Sequence, residues 1–456
     1  MNKKMTLREP EPDEGSGWVE ERLTGWGRSN FGTSNVSEPR SEAEILQWTR
    51  SHPASPLLAR GAGRSYGDAA LNSGGFVMRT TAMNAVHSFD PVSGEIVVDP
   101  GVSFGQLLRD FSRDGWLVPA TPGTQFATIA GAIANDVHGK NHDADGSFGD
   151  HVLWFDLALP DGTRQRVNAE LAPELFAATI GGIGLTGIIT RACFRMMRVP
   201  GTVIRLRERR VRDLNEFIEA LAEARTNCRY SVGWIDAVAT GRHLGRGILE
   251  TAAFARDATP ASAVRRFRLP VDLPSWAINS LSVGLFNQLY YGRVPSKGRE
   301  RQVSLEQFFY PLDAILDWNR MYGRRGFVQF QCVIPDAEVL RGLPNVLARI
   351  AASGQASFLA VIKTLGGAGR GHLSFPMRGV TLALDFPRKS GVDTLLASLH
   401  ALTADSGGRV YLAKDSALTP AQFRRMYPAV PAFQAVLARI DPQRRMRSDM
   451  SHRLQL

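Results

Sequence analysis

The sequence predicts a folded chain of mixed helices and strands in at least two domains, and three observations carry that expectation. Its 456 residues are roughly three times a typical domain length. Its composition, 44% hydrophobic and 21% charged, is that of a globular protein and excludes a disordered or collagen-like chain. Helix and strand signals alternate along it, and their character changes after Arg198-Val-Pro-Gly201.

Taken in order, residues 1–17 form a polar tail. Glu9, Glu11, Asp13 and Glu14 stand where a signal peptide needs an apolar core. Ser41-Glu-Ala-Glu44 has capping-box spacing and opens a helix bearing Ile45, Leu46 and Trp48. Pro56-Leu-Leu-Ala59 reads as a short buried strand entering a glycine loop, and Gly94–Asp99 as another strand. Ser103 caps a helix with Phe104, Leu107, Leu108 and Phe111 at three- and four-residue spacing. Beyond residue 201, Thr202–Arg207 and Phe327–Ile334 read as charged and apolar strands of a second unit. Arg409-Val-Tyr-Leu-Ala413 reads as a strand leading into a basic helical tail. The expected organisation is 18–201, 202–408 and a return of 409–456 to the first domain.

No run of eighteen strongly apolar residues occurs, so the expected location is the cytoplasm or the face of a membrane, without a spanning helix. Three widely spaced cysteines provide no disulfide framework and no zinc site, and no metal is expected. The net charge of +10 and pI near 9.8 favour an anionic partner: a nucleotide, a phosphorylated substrate, a membrane or nucleic acid. Nucleic acid is the remote alternative, because the charge is scattered and no zinc-finger, RNP or basic-helix signature is present.

Three glycine loops carry the functional signal. In Ala59-Arg-Gly-Ala-Gly-Arg-Ser-Tyr-Gly-Asp68 the first two positions of GxGxxG are filled, but Tyr66 takes the last and Phe76-Val-Met78 follows as a strand. A Rossmann site needs a helix there. A loop of successive backbone N–H groups can enclose a pyrophosphate without one. The second loop runs from Pro122-Gly-Thr-Gln through Thr128-Ile-Ala-Gly-Ala-Ile-Ala134, whose small residues let backbone approach a flat ring. It continues into Asp136-Val-His-Gly-Lys-Asn-His142 and Gly146-Ser-Phe-Gly149. The third is Ile180-Gly-Gly-Ile-Gly-Leu-Thr-Gly-Ile-Ile189. Together they point to a large, planar, phosphorylated cofactor threaded among loops.

With Gly25-Trp-Gly-Arg28, Gln331-Cys-Val-Ile-Pro335, Leu373-Ser-Phe-Pro376, Asp385-Phe-Pro387, Ala413-Lys-Asp-Ser416 and Ser448-Asp-Met450, these segments resemble the vanillyl-alcohol-oxidase/para-cresol-methylhydroxylase flavoproteins. Within that class the chain resembles, over nearly its whole length, the decaprenylphosphoryl-ribose 2′-oxidase family. The resemblance implies an α+β fold: an FAD-binding domain of two subdomains plus an α+β substrate domain with an antiparallel sheet. It implies oxidation of the 2′-hydroxyl of a polyprenyl-phosphoryl pentose, with an NAD(P)H-dependent keto-reductase completing an epimerisation to the arabinose donor. A soluble sugar, alditol or aldonolactone oxidase is the alternative on the same fold.

Residue by residue, the resemblance implies Lys414, Tyr66 and His138 as the catalytic group, Lys414 polarising the hydroxyl or accepting its proton. FAD would be held by Arg60, Gly61, Ala62, Gly63, Arg64, Ser65, Tyr66 and Gly67 of the first loop. The second loop would add Gly123, Thr124, Thr128, Gly131, Ala134, Val137, His138 and Asn141. Gly184, Gly187, Ile188 and Tyr411 would complete the cofactor site. Relatives that bind FAD covalently carry a histidine in the first loop; Tyr66 stands there, so the expected attachment is non-covalent. Trp234, Gln329, Gln331 and Lys363 would join Lys414 at the substrate. Gln329 and Gln331 flank Phe330 on one strand, so both amides point the same way. Phe309 and Ala383 depart from the tyrosine and cysteine of mycobacterial members. His142 and Lys140 are equally readable as structural.

Finally, residues 262–301 hold seven Arg or Lys (Arg265, Arg266, Arg268, Arg293, Lys297, Arg299, Arg301), while nothing between Asp272 and Arg293 is charged. Trp276, Ile278, Leu281, Leu285, Phe286 and Leu289 recur there at helical spacing. This reads either as a core helix or as an amphipathic cover resting on an anionic membrane.

Overall fold

Local signals set the first elements. Ser41 accepts the Glu44 N–H and opens the helix Glu42–Ser51, while the Glu44 carboxylate accepts from the Ser41 hydroxyl. Ser103 caps Phe104–Phe111 through Gln106 N–H, burying Phe104 and Leu107. The computed structural model describes residues 17–255, 265–274, 277–355 and 357–456. Residues 1–16 of the expected polar tail and Trp276 lie outside them.

Among the described residues up to 198 the chain builds two larger sheets and a two-stranded one, Trp116–Leu117 with Met197–Arg198. One is four-stranded, ordered Val19–Thr24, Phe31–Ser37, Phe76–Arg79 and Leu57–Arg60. The first pair is antiparallel and the other two are parallel. The second is five-stranded and antiparallel, with Ile188–Arg195 at its centre between Glu95–Val98 and Val152–Ala158. As the loop sequence predicts, no helix follows the first glycine loop, and the chain passes into the strand Phe76–Arg79. The second loop differs from expectation. Thr128 accepts the Gly131 N–H and nucleates a short helix, Ile129–Ala134, whose Ile129, Ala132 and Ile133 are buried.

From Val203 onward an eight-stranded antiparallel sheet forms. Its order is Arg299–Ser304, Val203–Val211, Gly247–Phe254, Tyr230–Ile235, Ala360–Leu365, Gly379–Pro387, Phe327–Pro335 and Arg409–Val410. Along Phe327–Pro335 alternate residues face opposite ways. Phe330 and Cys332 enter the core, toward the helices Val339–Ala352 and Val392–Asp405. Those helices bury Leu343, Leu347, Ile350, Leu395 and Leu399, each worth about 2 kcal/mol of removal from water. Gln329 and Gln331 face the other way.

The strand expected over 409–413 is shorter. Only Arg409–Val410 pairs with Cys332 and Val333, and the chain then turns, with Lys414 N–H bonding Tyr411 O at 2.9 Å. The sheet therefore keeps residues 409 and 410. The tail beyond is stitched to the first part of the chain: Leu57 N–H bonds Arg445 O at 2.8 Å, and Arg453 grips the Asp68 carboxylate with two bonds of 2.8 Å. Burial on folding is thus shared between sheets distant in sequence.

Candidate active site

The first glycine loop is clamped from both sides. Trp26 and Gly27 N–H bond Ser65 O and Tyr66 O at 2.8 and 3.1 Å, while Tyr66 N–H bonds Ala413 O at 2.9 Å. This last bond ties the loop to the turn that bears Lys414. The Lys414 ammonium stands 3.6 Å from the centroid of the Tyr66 ring. Asp415, its neighbour in sequence, does not pair with it. Its carboxylate accepts from Ala417 and Leu418 N–H and from Arg453, all at 2.9 Å. Lys414 is left to the cavity.

That cavity, of about 340 Å³, lies between the glycine loops and the eight-stranded sheet. The loops contribute Gly61 through Tyr66, then Gly123, Thr124, Thr128, Gly131, Ala134, Val137 and His138, and finally Gly184 and Gly187. The sheet side contributes Gln329, Gln331, Lys363, Thr381 and Ala383, with Tyr411 and Lys414 from the turn. The sheet register explains the second group. Gln331 stands opposite Ala383, which stands opposite Val361, so one row of three strands presents the same face.

The electrostatics are unusual. Burial lowers the Lys414 ammonium far below the ordinary lysine range, with Asp385 pulling the other way. Lys363, bonded to Gly139 O at 2.8 Å, is lowered to about 7 by burial and by the Lys140 and Lys414 charges. His138 is driven to the neutral form by burial and by Lys363, His142 and Lys414. Its Nε2 lies 3.0 Å from the Gln331 amide nitrogen, so Nε2 accepts and Nδ1 carries the proton. The ring packs between Phe375 and Tyr411, with centroids 5.2 and 5.1 Å away.

The lining fits FAD. His138 Nδ1, Asn135 Oδ1 and Arg64 Nε are buried without a hydrogen-bond partner among the described residues, and all three residues line the cavity. Gly123 has nothing within 4 Å of where a Cβ would stand, and Gly184 only Leu58 Cδ1 at 4.0 Å, so both leave backbone open to a ligand. Gly63 and Gly184 adopt φ of +64° and +79°, conformations that favour glycine.

Five expected residues sit elsewhere. Arg60 donates to Ala70 O and Thr24 O, bracing the loop from behind. Gly67 packs against Asp415 O, and Ile188 joins a separate apolar cluster with Ile45 and Leu57. Asn141 holds Pro119 O at 2.8 Å and also donates to Asp145. Trp234 donates to Phe358 O at 3.0 Å and packs its ring at a tilt against Tyr290, and it does not line the cavity. Of the ambiguous residues, Lys140 holds Phe308 O and lies 4.2 Å from that ring, and His142 Nδ1 accepts from Gly366 N–H at 3.0 Å. Phe309 lies in an aromatic cluster with Tyr230 and Phe308 and does not line the cavity, whereas Ala383 does.

Sequence reasoning missed Trp26, Asn135, Leu312, Trp318 and Val361 in the lining, and Asp385 behind it. Asp385 is fully buried, accepts from the Gln329 amide, and has the Tyr322 hydroxyl at 3.4 Å. Burial pushes its carboxyl up, opposed by Gln329 and Lys414. Its place opposite Gln329 follows from strand pairing, which spacing along one strand does not reveal.

Fold and cavity together define an FAD-dependent oxidoreductase. A family model described as an FAD binding domain matches residues 34–168. Decaprenylphosphoryl-beta-D-ribose oxidase of Mycolicibacterium smegmatis is 36% identical over 95% of this chain and 97% of its own length. An uncharacterized protein of Streptomyces coelicolor is 34% identical over 75% of this chain and 96% of its own. A putative D-arabinono-1,4-lactone oxidase of Neurospora crassa matches only 35% of the chain, at 29% identity. The chain belongs to the decaprenylphosphoryl-ribose oxidase family.

Proposed function

We propose that this protein oxidises the 2′-hydroxyl of a polyprenyl-phosphoryl-β-D-ribose to the ketone, and that a separate NAD(P)H-dependent keto-reductase then completes epimerisation to the arabinose donor. The observation that carries the reading is Lys414, which has no salt bridge among the described residues and lines a cavity shared by the glycine loops and the sheet. When bound, FAD supplies the two-electron acceptor for the hydride.

The chain's own residues divide the remaining work. The loops from Gly61 to Tyr66 and from Gly123 to His138, with Gly184, Gly187 and Tyr411, would grip the cofactor through backbone N–H groups and close backbone approach. Lys414, depressed toward neutrality by burial, takes the hydroxyl proton at Nζ as the C2′–H bond breaks. Gln329, Gln331 and Lys363 supply amide and amine groups that orient the sugar hydroxyls. Tyr66 fixes Lys414 by offering its ring face.

The lipid end finds a surface in the helix Ser280–Gly292. Leu281, Leu285 and Leu289 are 84%, 63% and 66% exposed, one above another at four-residue spacing, which fits the cover rather than a core helix. The basic flank is less free than its composition implies. Arg293, Arg299 and Arg301 converge on Glu208, and Arg268 pairs with Asp317. Membrane contact through this helix is therefore apolar first and electrostatic second. No helix among the described residues is long and apolar enough to cross a membrane.

Turnover with a polyprenyl-phosphoryl ribose in the presence of an electron acceptor tests the reading. A product two hydrogens lighter, reducible at C2′ by borohydride, is expected. Turnover of free polyols with no activity on the lipid-linked sugar would favour the soluble sugar or alditol oxidase instead.

A further inference from the structure

Among the described residues three Lys or Arg side chains line the cavity: Arg64, Lys363 and Lys414. Lys414 stands over the Tyr66 ring, and Lys363 is bonded to Gly139 O at 2.8 Å. Arg64 has no such partner. It makes no salt bridge among the described residues, and its Nε is buried without a hydrogen bond. A guanidinium is also the one group of the three that keeps its charge at any working pH.

The surroundings hold this charge in place and leave it free. The guanidinium carbon lies 4.1 Å from the centroid of the Trp26 ring and 4.7 Å from that of Phe126. Rings over the guanidinium face leave its N–H groups pointing along the edge, where they form a fork for an oxyanion. A second, smaller chamber of about 120 Å³ adjoins the cavity, and Trp26, Arg64 and Trp318 line both. Both carboxylates in its wall are committed elsewhere. Asp313 accepts from the Thr124 hydroxyl at 2.9 Å and from Gln125 N–H at 2.7 Å, and Asp317 pairs with Arg268 at 3.3 Å.

An unpaired donor in the first loop suits a cofactor phosphate or a substrate phosphate. Its position favours the substrate. The glycines that would hold FAD line the main cavity and not the smaller chamber, whereas Arg64 stands where the two meet. A phosphodiester joining a sugar inside to a chain outside must pass such a doorway. Arg64 is also two residues before Tyr66, so their Cα atoms are at most about 7 Å apart. The phosphate and the 2′-hydroxyl sit on adjacent sugar carbons, so a hydroxyl held at Lys414 brings the phosphate to this same wall.

We propose that the Arg64 side chain is the subsite for the phosphodiester of the lipid-linked sugar, a forked partner steadied by Trp26 and Phe126, while the backbone of its loop serves the cofactor. This rests on the polyprenyl-phosphoryl ribose reading and names the group that recognises the phosphate.

The test measures binding of farnesyl-phosphoryl ribose and of its uncharged methyl phosphotriester by calorimetry, in flavin-loaded wild type, Arg64→Met and Arg64→Lys. The wild type should bind the diester about 10–100-fold more tightly than the triester, the range for hydrogen bonds to charged groups. Arg64→Met should keep its flavin, lose that preference, and bind the triester as the wild type does. Arg64→Lys, a point charge without the fork, should recover part of the preference. Equal loss of affinity for both esters would make Arg64 a packing residue, and loss of flavin from a folded Arg64→Met would give the side chain to the cofactor; either overturns the proposal. If Arg64→Met does not fold, a wild type that binds the two esters alike or not at all, or an undiminished preference in Arg64→Lys, overturns it instead. Calorimetry needs no turnover, so a wild type that prefers the diester without oxidising it refutes the oxidation reading alone. Oxidation of the diester by Arg64→Met at the wild-type KM refutes this proposal alone.

Discussion

Lys414 and Tyr66 come from opposite ends of the chain, yet the lysine nitrogen stands 3.6 Å from the centre of the tyrosine ring. The bond from Tyr66 N–H to Ala413 O fixes the two backbones together, so the pairing is built into the fold. The ammonium is buried over an aromatic face and its neighbouring aspartate is committed to Arg453, which supports the role in the cavity proposed above.

Lys414→Ala should retain flavin and lose alcohol oxidation by about 10²–10⁴-fold in kcat, the range for a group transferring a proton in the transition state. The first glycine loop is held to the turn at residue 413 by backbone, Tyr66 N–H to Ala413 O, which the substitution leaves in place, so flavin content is the internal control. A folded, flavin-loaded variant turning over at the wild-type rate would assign the proton to another base.

The pH dependence has a definite sign. In the proposed mechanism Lys414 acts as the free amine, and burial lowers its proton affinity below the ordinary lysine range. Activity should rise with pH through a midpoint well below the ordinary lysine range and then level off. A kcat profile still climbing in the range of a solvated lysine would place the essential amine outside the cavity.

Flavin should be released by acid precipitation. The family resemblance implies that Tyr66 stands where covalently flavinylated relatives carry histidine, and His138, in the cavity lining, has Nε2 occupied by Gln331. Yellow colour in the washed pellet would contradict this.

Glu208 makes a stability prediction. Its side chain is fully buried and accepts from Arg293, Arg299 and Arg301. Burial alone would raise its pKa; the hydrogen bonds from Arg299, Arg301 and Arg293 outweigh burial and hold it at about 2. The folded value lies below the unfolded one, so the contribution is full above the ordinary glutamate range and fades as pH falls toward 2. Glu208→Gln should cost about 2 kcal/mol at neutral pH, less than for a fully buried pair because the arginines remain partly exposed. Denaturant unfolding should show the difference shrinking in acid.

The helix Ser280–Gly292 should bind neutral phosphatidylcholine vesicles, with anionic lipid adding a smaller, salt-sensitive increment. Replacing Leu281, Leu285 and Leu289 together with serine should abolish sedimentation with neutral vesicles. Binding only to anionic vesicles, lost in high salt, would show that the arginines carry the contact.

Much of this was legible in the sequence because capping, strand alternation and glycine loops are local. Ser41 and Ser103 announced their helices, and Gln329-Phe-Gln331 announced which way its amides point. Lys414 and the loops were legible through the family resemblance. What was not legible depended on pairing between distant segments. Asp385 comes to stand opposite Gln329 only through strand pairing, and Asn141, Trp234 and Arg60 turn from the cavity because Pro119, Phe358 and Ala70 offer them carbonyls. The basic flank looked free in sequence because Glu208 lies far upstream of the arginines that pair with it. The 409–413 strand was overread because Tyr411 and Lys414 form a turn once Val410 has paired with Cys332.

The central claim, hydride removal from C2′ of a lipid-linked ribose, is tested most directly by mixing the flavin-loaded protein anaerobically with polyprenyl-phosphoryl ribose bearing deuterium at C2′. The account predicts bleaching of the flavin absorbance, slowed several-fold relative to the unlabelled sugar, with no slowing when the label is at C3′. Bleaching at the same rate for both labels, or none with any polyprenyl-phosphoryl pentose, would contradict it.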